Sequence, residues 1–474
     1  MRKKKNPHVL HRALYRSNTL VLEMLIAAFQ VFAMLLLTLK TNPFDMQALL
    51  LMIAMPLCMA GALGLYSKFA PVDRAVYLLS AFLMSISLVI LKDIARASVT
   101  VEKQALSMLV GFFAMGFGIW IIRRLRSWEK VAKALMIPAI LALFAPYAIG
   151  EWTYGAKNWI RITGTLTIQP SEFGKSYLVF MLAALFSGET SVRKSLLPMA
   201  CAAAFCVALL LERDLGALAI YFLVTCSVYY AASQNLLTTA IGLGLGAGGA
   251  VGAYHMFDYV KKRVEMFLNP WSDPEDSGYQ IIQALIAIGY GGAFGTGLGL
   301  GYPRSVPLYS SDFVFASIGE EFGLLFAGGL LCVYILLLWR GVVIACGARR
   351  QFHALLSFGI VAMITIQAFV NVAGNTKLIP MTGLTLPLVS AGSNSVISTM
   401  LMLGMLLGVS SMNAEADVAD ARRALRKEEA SARRRESDDL FDTVILSRPR
   451  FTARGSGYKA SEKPKTIQKE DDFS

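Results

Sequence analysis

SSDFVFASIGEEFGLLFAGGLLCVYILLLW, residues 310–339, places Asp312, Glu320 and Glu321 at the head of an apolar run that continues to Trp339 without another charge. A helix that crosses a bilayer needs about 20 predominantly apolar residues. An ionised carboxylate inside hydrocarbon costs roughly 3 kcal/mol or more unless it faces protein or a water-filled cavity, so these acids read first as parts of a functional site. The plainer alternative is that Ser310, Ser311 and Asp312 cap a helix N-terminus, with the two glutamates about two turns further in. Under either reading the segment is a membrane helix entered from a polar loop.

Such runs recur. Across 474 residues, 55% are hydrophobic and the mean hydropathy is +0.55, which excludes an ordinary soluble protein. Twelve candidate spans are centred near residues 29, 57, 82, 114, 140, 181, 202, 223, 245, 326, 363 and 402. They predict an all-α polytopic membrane protein, one helical bundle of about 12 transmembrane helices. The sixth span, 176–187, is short and reads as a half-span or a tilted segment. The first run, 19–39, is longer than a signal peptide's apolar core and lacks a small-residue cleavage site, so it is expected to stay as a span.

Lys and Arg total 45 against 32 Asp and Glu, a net charge of +13. The basic residues collect at the termini and in alternate loops (123–133, 191–195, 339–353), the positive-inside pattern. This distribution speaks for contact with membrane lipids and against nucleic acid. It puts both termini in the cytoplasm and four segments outside: 41–46, 151–175, a large loop at 255–312, and 374–392. Loop 92–104, with Lys92, Arg96 and Lys103, fits that alternation least well. The six cysteines lie in or beside apolar runs with no paired spacing, so neither a disulfide framework nor a zinc site is expected. The organisation read from the sequence is a basic cytoplasmic N-terminus (1–17), N-terminal spans (18–150), a core (151–412) and a charged tail (413–474). The tail begins with helical composition and ends in a segment too polar to order itself.

The polar residues gather in the long external segments, which suits chemistry at an outer face better than a transport path at the midplane. Between 155 and 177, Pro170 starts a helix that Ser171 can cap, and Glu172 and Lys175 share a face three residues apart. Their ion pair is either structural or, with Arg161, a holder for pyrophosphate. Glu212, Arg213 and Asp214 fall between two spans with almost no loop, so they are not expected to face lipid. NPWSDPEDSGYQ, 269–280, carries Asp273 in turn chemistry, with Ser277 positioned to cap the amphipathic helix that follows. The Pro- and Gly-broken segment 375–395 needs a protein or cavity lining, which Lys377 and Ser390 would provide. Of the glycine-rich stretches, 241–252 reads as close helix packing, and 289–302 as a flexible loop able to approach a ligand.

The ordered set GAKNWI…QPSEFGK, RDLG, NPWSDP…SGYQ, SDFVFASIGEEFG and TGLTLPLVS, across roughly residues 155–410, resembles the SEDS family (shape, elongation, division and sporulation; FtsW-, RodA- and SpoVE-like proteins). The resemblance implies a peptidoglycan glycosyltransferase of the bacterial cytoplasmic membrane. Such an enzyme polymerises lipid II into a nascent glycan strand at the outer face, during division or elongation, beside a class B penicillin-binding protein. It also implies that Asp312 is the essential carboxylate. Glu172, Lys175, Arg213, Asp214, Asp273, Glu320, Glu321, Lys377 and Ser390 are the expected substrate contacts. A divalent cation, Mg2+ or Mn2+, is compatible with that chemistry, though no metal-ligand spacing marks one. Departures from the family pattern stand at Asn158 for an arginine, Ser310 for a histidine and Thr382 for a lysine, and two extra spans precede the shared region. The alternatives are a lipid II flippase and a non-catalytic scaffold of the division or elongation machinery.

Overall fold

The structure, a computed structural model, describes residues 7–40, 45–94, 98–153, 156–162, 167–188, 192–276 and 278–446. Five helices come first: α1 (Pro7–Lys40), α2 (Met46–Phe69), α3 (Arg74–Ile94), α4 (Ser98–Arg124) and α5 (Trp128–Ile149). Three short strands follow, β1 (Glu151–Thr153), β2 (Ala156–Arg161) and β3 (Thr167–Ile168), paired antiparallel in the order β1-β2-β3. Then come α6 (Pro170–Phe186), α7 (Val192–Leu211), α8 (Leu215–Ser233), α9 (Leu236–Met256), α10 (Asp258–Leu268), α11 (Tyr279–Gly291), α12 (Val314–Cys346), α13 (Gln351–Asn375) and α14 (Ser393–Leu446). The chain divides into two units, residues 1–416 and 417–474. In the second, the described part is an exposed, charge-rich helix; the polar end of the tail lies outside the described residues.

All twelve apolar segments fold as helices, and ten are long and apolar enough to cross a membrane. The two that fall short are α6, 17 residues with Glu172 and Lys175 in its first turns, and α7, whose apolar described part is Ser195–Leu211. The segments read as loops are more ordered than their composition suggests. Residues 151–168 build the small sheet, and α10 and α11 form within 255–312.

The centre of the bundle is α3, α13 and α14, each with 78% of its apolar span buried, whereas α9 buries only 6% and leaves the rest to lipid. Small residues allow close contact between spans. A methyl group added at Gly404 of α14 would sit 2.2 Å from the Met115 carbonyl oxygen of α4. Backbones can approach that closely only where side chains are absent. The expected packing of 241–252 is not found: among Gly242, Gly244, Gly246, Gly248, Gly249 and Gly252, only Gly246 has a neighbour within 4 Å, the Phe222 ring.

The opening stretch is not one straight helix. At Gly323 the chain turns to φ 81°, which breaks α12 after Phe322. The loop after α11 fills the break: Thr296 and Gly297 donate to the Glu320 and Glu321 carbonyls at 2.9 and 3.0 Å, while Leu324 and Leu325 donate to the Gly292 and Ala293 carbonyls at 2.9 and 3.1 Å. Every backbone group freed by the break that lies at membrane depth needs such a partner. Within 289–302, Gly291 and Gly295 serve close approach to α12: a methyl group at either would stand 2.1 or 2.2 Å from the Gly319 or Glu321 carbonyl oxygen.

Candidate active site

The N-termini of α6, α8, α12 and α14 converge with the segment after α13 on one cavity of about 710 Å3. Gln169 precedes α6, Asp214 caps α8, Asp312 stands two residues before α12, and Asn394 and Ser395 open α14; all line the cavity. An α-helix N-terminus carries about half a positive charge, and its unpaired N–H groups point outward. Four of them make the cavity a place for negative charge before any cationic side chain is counted.

Asp312 lies in the turn that enters α12 and is not its cap. No side chain caps α12. Instead the Asp312 carboxyl faces the cavity while its backbone carbonyl accepts hydrogen bonds at 2.9 Å from the side-chain amides of both Asn371 and Asn375 on α13. Burial pushes the carboxyl up to about 6, against the pull of a Ser311 hydroxyl and the Arg263 guanidinium, with Asp214 adding to the rise. A carboxylate with that affinity for protons suits general-base work near neutral pH.

Asp214 is fixed on all sides. One oxygen accepts from the Ala217 N–H at 3.0 Å as the α8 cap, and the other accepts from Asn158 at 2.9 Å and Gln169 at 3.5 Å. Arg213 takes a left-handed φ of 63°, uncommon for a side-chain-bearing residue. Its guanidinium is stacked between Trp152 of β1 (5.0 Å) and Tyr259 of α10 (5.2 Å). Lys262 and Arg263 of α10 add two more cations to the wall. Lys262 approaches Asp276 at 3.8 Å, and Arg263 donates to the Met381 carbonyl at 3.4 Å. Thr385, Asn394 and Ser395 supply neutral hydrogen-bonding groups to the lining.

Of the residues expected from sequence, Asp312, Glu172, Arg213 and Asp214 meet in this cavity. Lys175 lies beneath it, buried between Glu172 (2.7 Å) and Gln367 (2.9 Å), so its charge is already matched. Ser390 stands behind the wall, donating to the Ser311 carbonyl. Glu320 and Glu321 are buried in α12 outside the cavity lining: Glu320 accepts from the Tyr302 N–H at 2.6 Å, and Glu321 neighbours Asp93 at the end of α3. Asp273 ends the turn Pro270–Ser272 and accepts the Gly278 N–H through its carbonyl at 2.8 Å. Lys377, at φ 55°, follows α13 outside the lining. Ser171 does not cap α6; it is buried inside the helix with its hydroxyl unpartnered. Ser277 lies outside the described residues.

The sequence reading missed Lys262, Arg263 and Tyr259 because it treated 255–312 as a loop. A signal was present. Lys261-Lys262-Arg263 is a basic run in a segment assigned to the outside, against the charge bias of the rest of the chain.

The fold and cavity define a class: a polytopic helical membrane protein with a cation-lined polar chamber where four helices begin. Residues 72–415 match the model of FtsW/RodA/SpoVE cell cycle proteins, and the chain belongs to that family, the SEDS family of the sequence motifs. The match begins just before α3, so α1 and α2 precede it. The chain is similar to the peptidoglycan glycosyltransferase RodA of Mycobacterium tuberculosis (strain H37Rv), 38% identical over 292 residues, 58% of this chain and 61% of that relative. It therefore spans about three fifths of the length of that relative. It is also similar to stage V sporulation protein E of Bacillus subtilis, 36% identical over 316 residues, 64% of this chain and 84% of the relative. A solved structure on the structural coordination of polymerization and crosslinking by a peptidoglycan synthase complex matches with a TM-score of 0.63 at 27% identity, covering 72% of this chain and 98% of that one. Ten apolar helices and this family membership make the chain a multi-pass protein of the bacterial cytoplasmic membrane.

Proposed function

We propose that the chain is a peptidoglycan glycosyltransferase that polymerises lipid II, a disaccharide-pentapeptide on undecaprenyl pyrophosphate, at the outer face of the membrane. The observation that carries this reading is that Asp312 shares one cavity, ringed by four helix N-termini, with Arg213, Lys262 and Arg263. A base and a seat for a departing anion are the two supports that this transfer requires. A sugar hydroxyl of one chain attacks the anomeric carbon of the other, forming the new C–O bond. Asp312 takes the hydroxyl proton. The anomeric C–O bond to pyrophosphate breaks, and its electron pair leaves with the pyrophosphate, held by the three cations and the helix ends. The names of the RodA and FtsW relatives as peptidoglycan glycosyltransferases support the same reading.

Among the described residues no three His, Cys, Asp or Glu side chains converge on a metal position. Asp312 and Asp214 would hold a divalent cation, since Mg2+ is usually held by one or two carboxylates. Such a cation would supply further charge against the leaving group. The partner is a class B penicillin-binding protein, a reading supported by the synthase complex that this fold resembles.

The test is polymerisation of purified lipid II by the purified chain, alone and with a candidate transpeptidase, followed by glycan length on gels. The expected result is glycan product that increases with the partner and is lost in Asp312→Asn. Translocation of lipid II across vesicles without any glycan product, with or without the partner, would turn the reading to a flippase.

A further inference from the structure

We propose that Gln104, on α4 and outside the cavity, is a positioning residue for Asp312, acting through Ser390 and Ser311. The inference rests on the reading of Asp312 as the base.

The non-helical segment between α13 and α14 runs directly behind the turn that carries Asp312. It is tied to that turn twice: Ser390 donates its hydroxyl to the Ser311 carbonyl, and the Ala391 N–H donates to the Ser310 carbonyl at 2.8 Å. The Ser390 hydroxyl also accepts from the Leu386 N–H at 2.8 Å, so one oxygen links residues 386–390 to the turn that carries Asp312. Gln104 ties this segment to the bundle from the α4 side, beside the bonds that Tyr334, Gln367 and Asn371 make to its Pro387, Thr385 and Leu384 carbonyls. The Gln104 amide donates to the Ser390 carbonyl at 3.0 Å and to the Ser87 hydroxyl of α3 at 3.0 Å, while its side-chain oxygen accepts the Gly392 N–H at 3.2 Å. Gln104 and Ser390 are each 2% exposed and Ser87 is 0% exposed, so water offers none of these groups a replacement partner. A buried glutamine that spends both ends on one backbone segment fixes that segment in position and in direction.

Asn371 and Asn375 hold the Asp312 carbonyl from the α13 side. Ser390 and Ala391 hold the carbonyls of the two preceding residues, and Gln104 holds Ser390 from the α4 side. Together these bonds fix the backbone of residues 310–312 at the cavity wall. Angstrom-scale displacement of a reacting group is enough to cost about 100-fold in rate, so a residue that makes no contact with substrate still governs turnover.

Gln104→Met keeps side-chain length and removes every hydrogen bond; Ser390→Ala breaks the next link. Both variants are assayed for lipid II polymerisation in the full-length chain with its transpeptidase, with kcat, KM and the pH dependence of kcat measured. The expected result is a kcat lowered roughly 10- to 100-fold with KM within about twofold. The acid limb of the pH profile should move below pH 6 as water reaches Asp312, and the double variant should be no worse than the more impaired single one. Either variant, monodisperse in detergent, with parental kcat and a parental acid limb would overturn the proposal even if its melting temperature falls. If instead Asp312→Asn polymerises at the parental rate, the reading of the base itself has failed, and the two failures are told apart by that control.

Discussion

At the scale of single residues, two carboxyl groups in helix-entry turns carry shifted affinities and opposite expectations. Asp312→Asn preserves shape but accepts no proton, so polymerisation should drop on the order of 100-fold or more, read as product per enzyme per minute. In the parent, the carboxyl at about 6 should give kcat an acid limb there, with activity rising as pH rises through it. Stability runs the other way. Between about 4 and 6 the folded chain keeps a proton that the unfolded chain has released, so this group's contribution is lost as pH rises. Asp312→Asn should therefore melt at or above the parental temperature at pH 7.5. Glu212, in the corner between α7 and α8, shows the same logic without a function attached. Both its oxygens are buried with no hydrogen-bond partner, and burial, aided by Asp214, pushes the carboxyl up to about 8. Between about 4.5 and 8 the parent should lose melting temperature as pH rises, and Glu212→Gln should flatten that slope in detergent. An unchanged slope would mean that Glu212 is solvated.

At the scale of elements, the decisive feature is the break in α12. A methyl group at residue 323 would stand 2.3 Å from the Gly295 nitrogen, on a backbone already at φ 81°. Gly323→Ala should cost about 1–3 kcal/mol from overpacking, plus roughly 1–3 kcal/mol for a side chain held at φ 81°, ψ 169°, a region nearly confined to glycine, seen as a lowered melting temperature. A matched substitution at Gly328, which has no neighbour within 4 Å, should be tolerated. Equal melting of the two variants would show that the plug of residues 291–297 is not needed to hold α12. The apolar periods and the Pro and Gly punctuation made every long helix legible. The break was not, because a glycine inside an apolar run has the same composition whether it packs, bends or faces lipid. Only the hydrogen-bond partners across from Gly323 distinguish these cases, and they come from a loop some thirty residues upstream.

At the scale of the whole molecule, the alternating basic loops predict which ends of the helices face outward. With the six native cysteines replaced by alanine, a cysteine at Ser272 should react with an impermeant thiol reagent added to intact cells. One at Gln351, the first residue of α13, should react only after permeabilisation. The reverse pattern would place the cavity in the cytoplasm and remove the proposed substrate from its reach.

What the sequence determined alone is the part fixed by solvent. Runs of about twenty apolar residues have one stable arrangement in a bilayer, and carboxylates at their heads must find protein or water. Asp312, Asp214 and Glu172 were legible as site residues for that reason. The tertiary structure decided which charges are free to work. Lys175 and Glu172 look alike on paper, yet packing spends the lysine on Glu172 and Gln367 and leaves one face of the glutamate to the cavity. Glu320 and Glu321 carry the same carboxyl group as Asp312 but sit within α12, beside the Tyr302 N–H and Asp93 and outside the cavity lining. Lys262 and Arg263 reach the cavity only because α10 folds and lies against it. The charge of a side chain is written in the sequence; its direction is set by contacts between residues far apart in the chain.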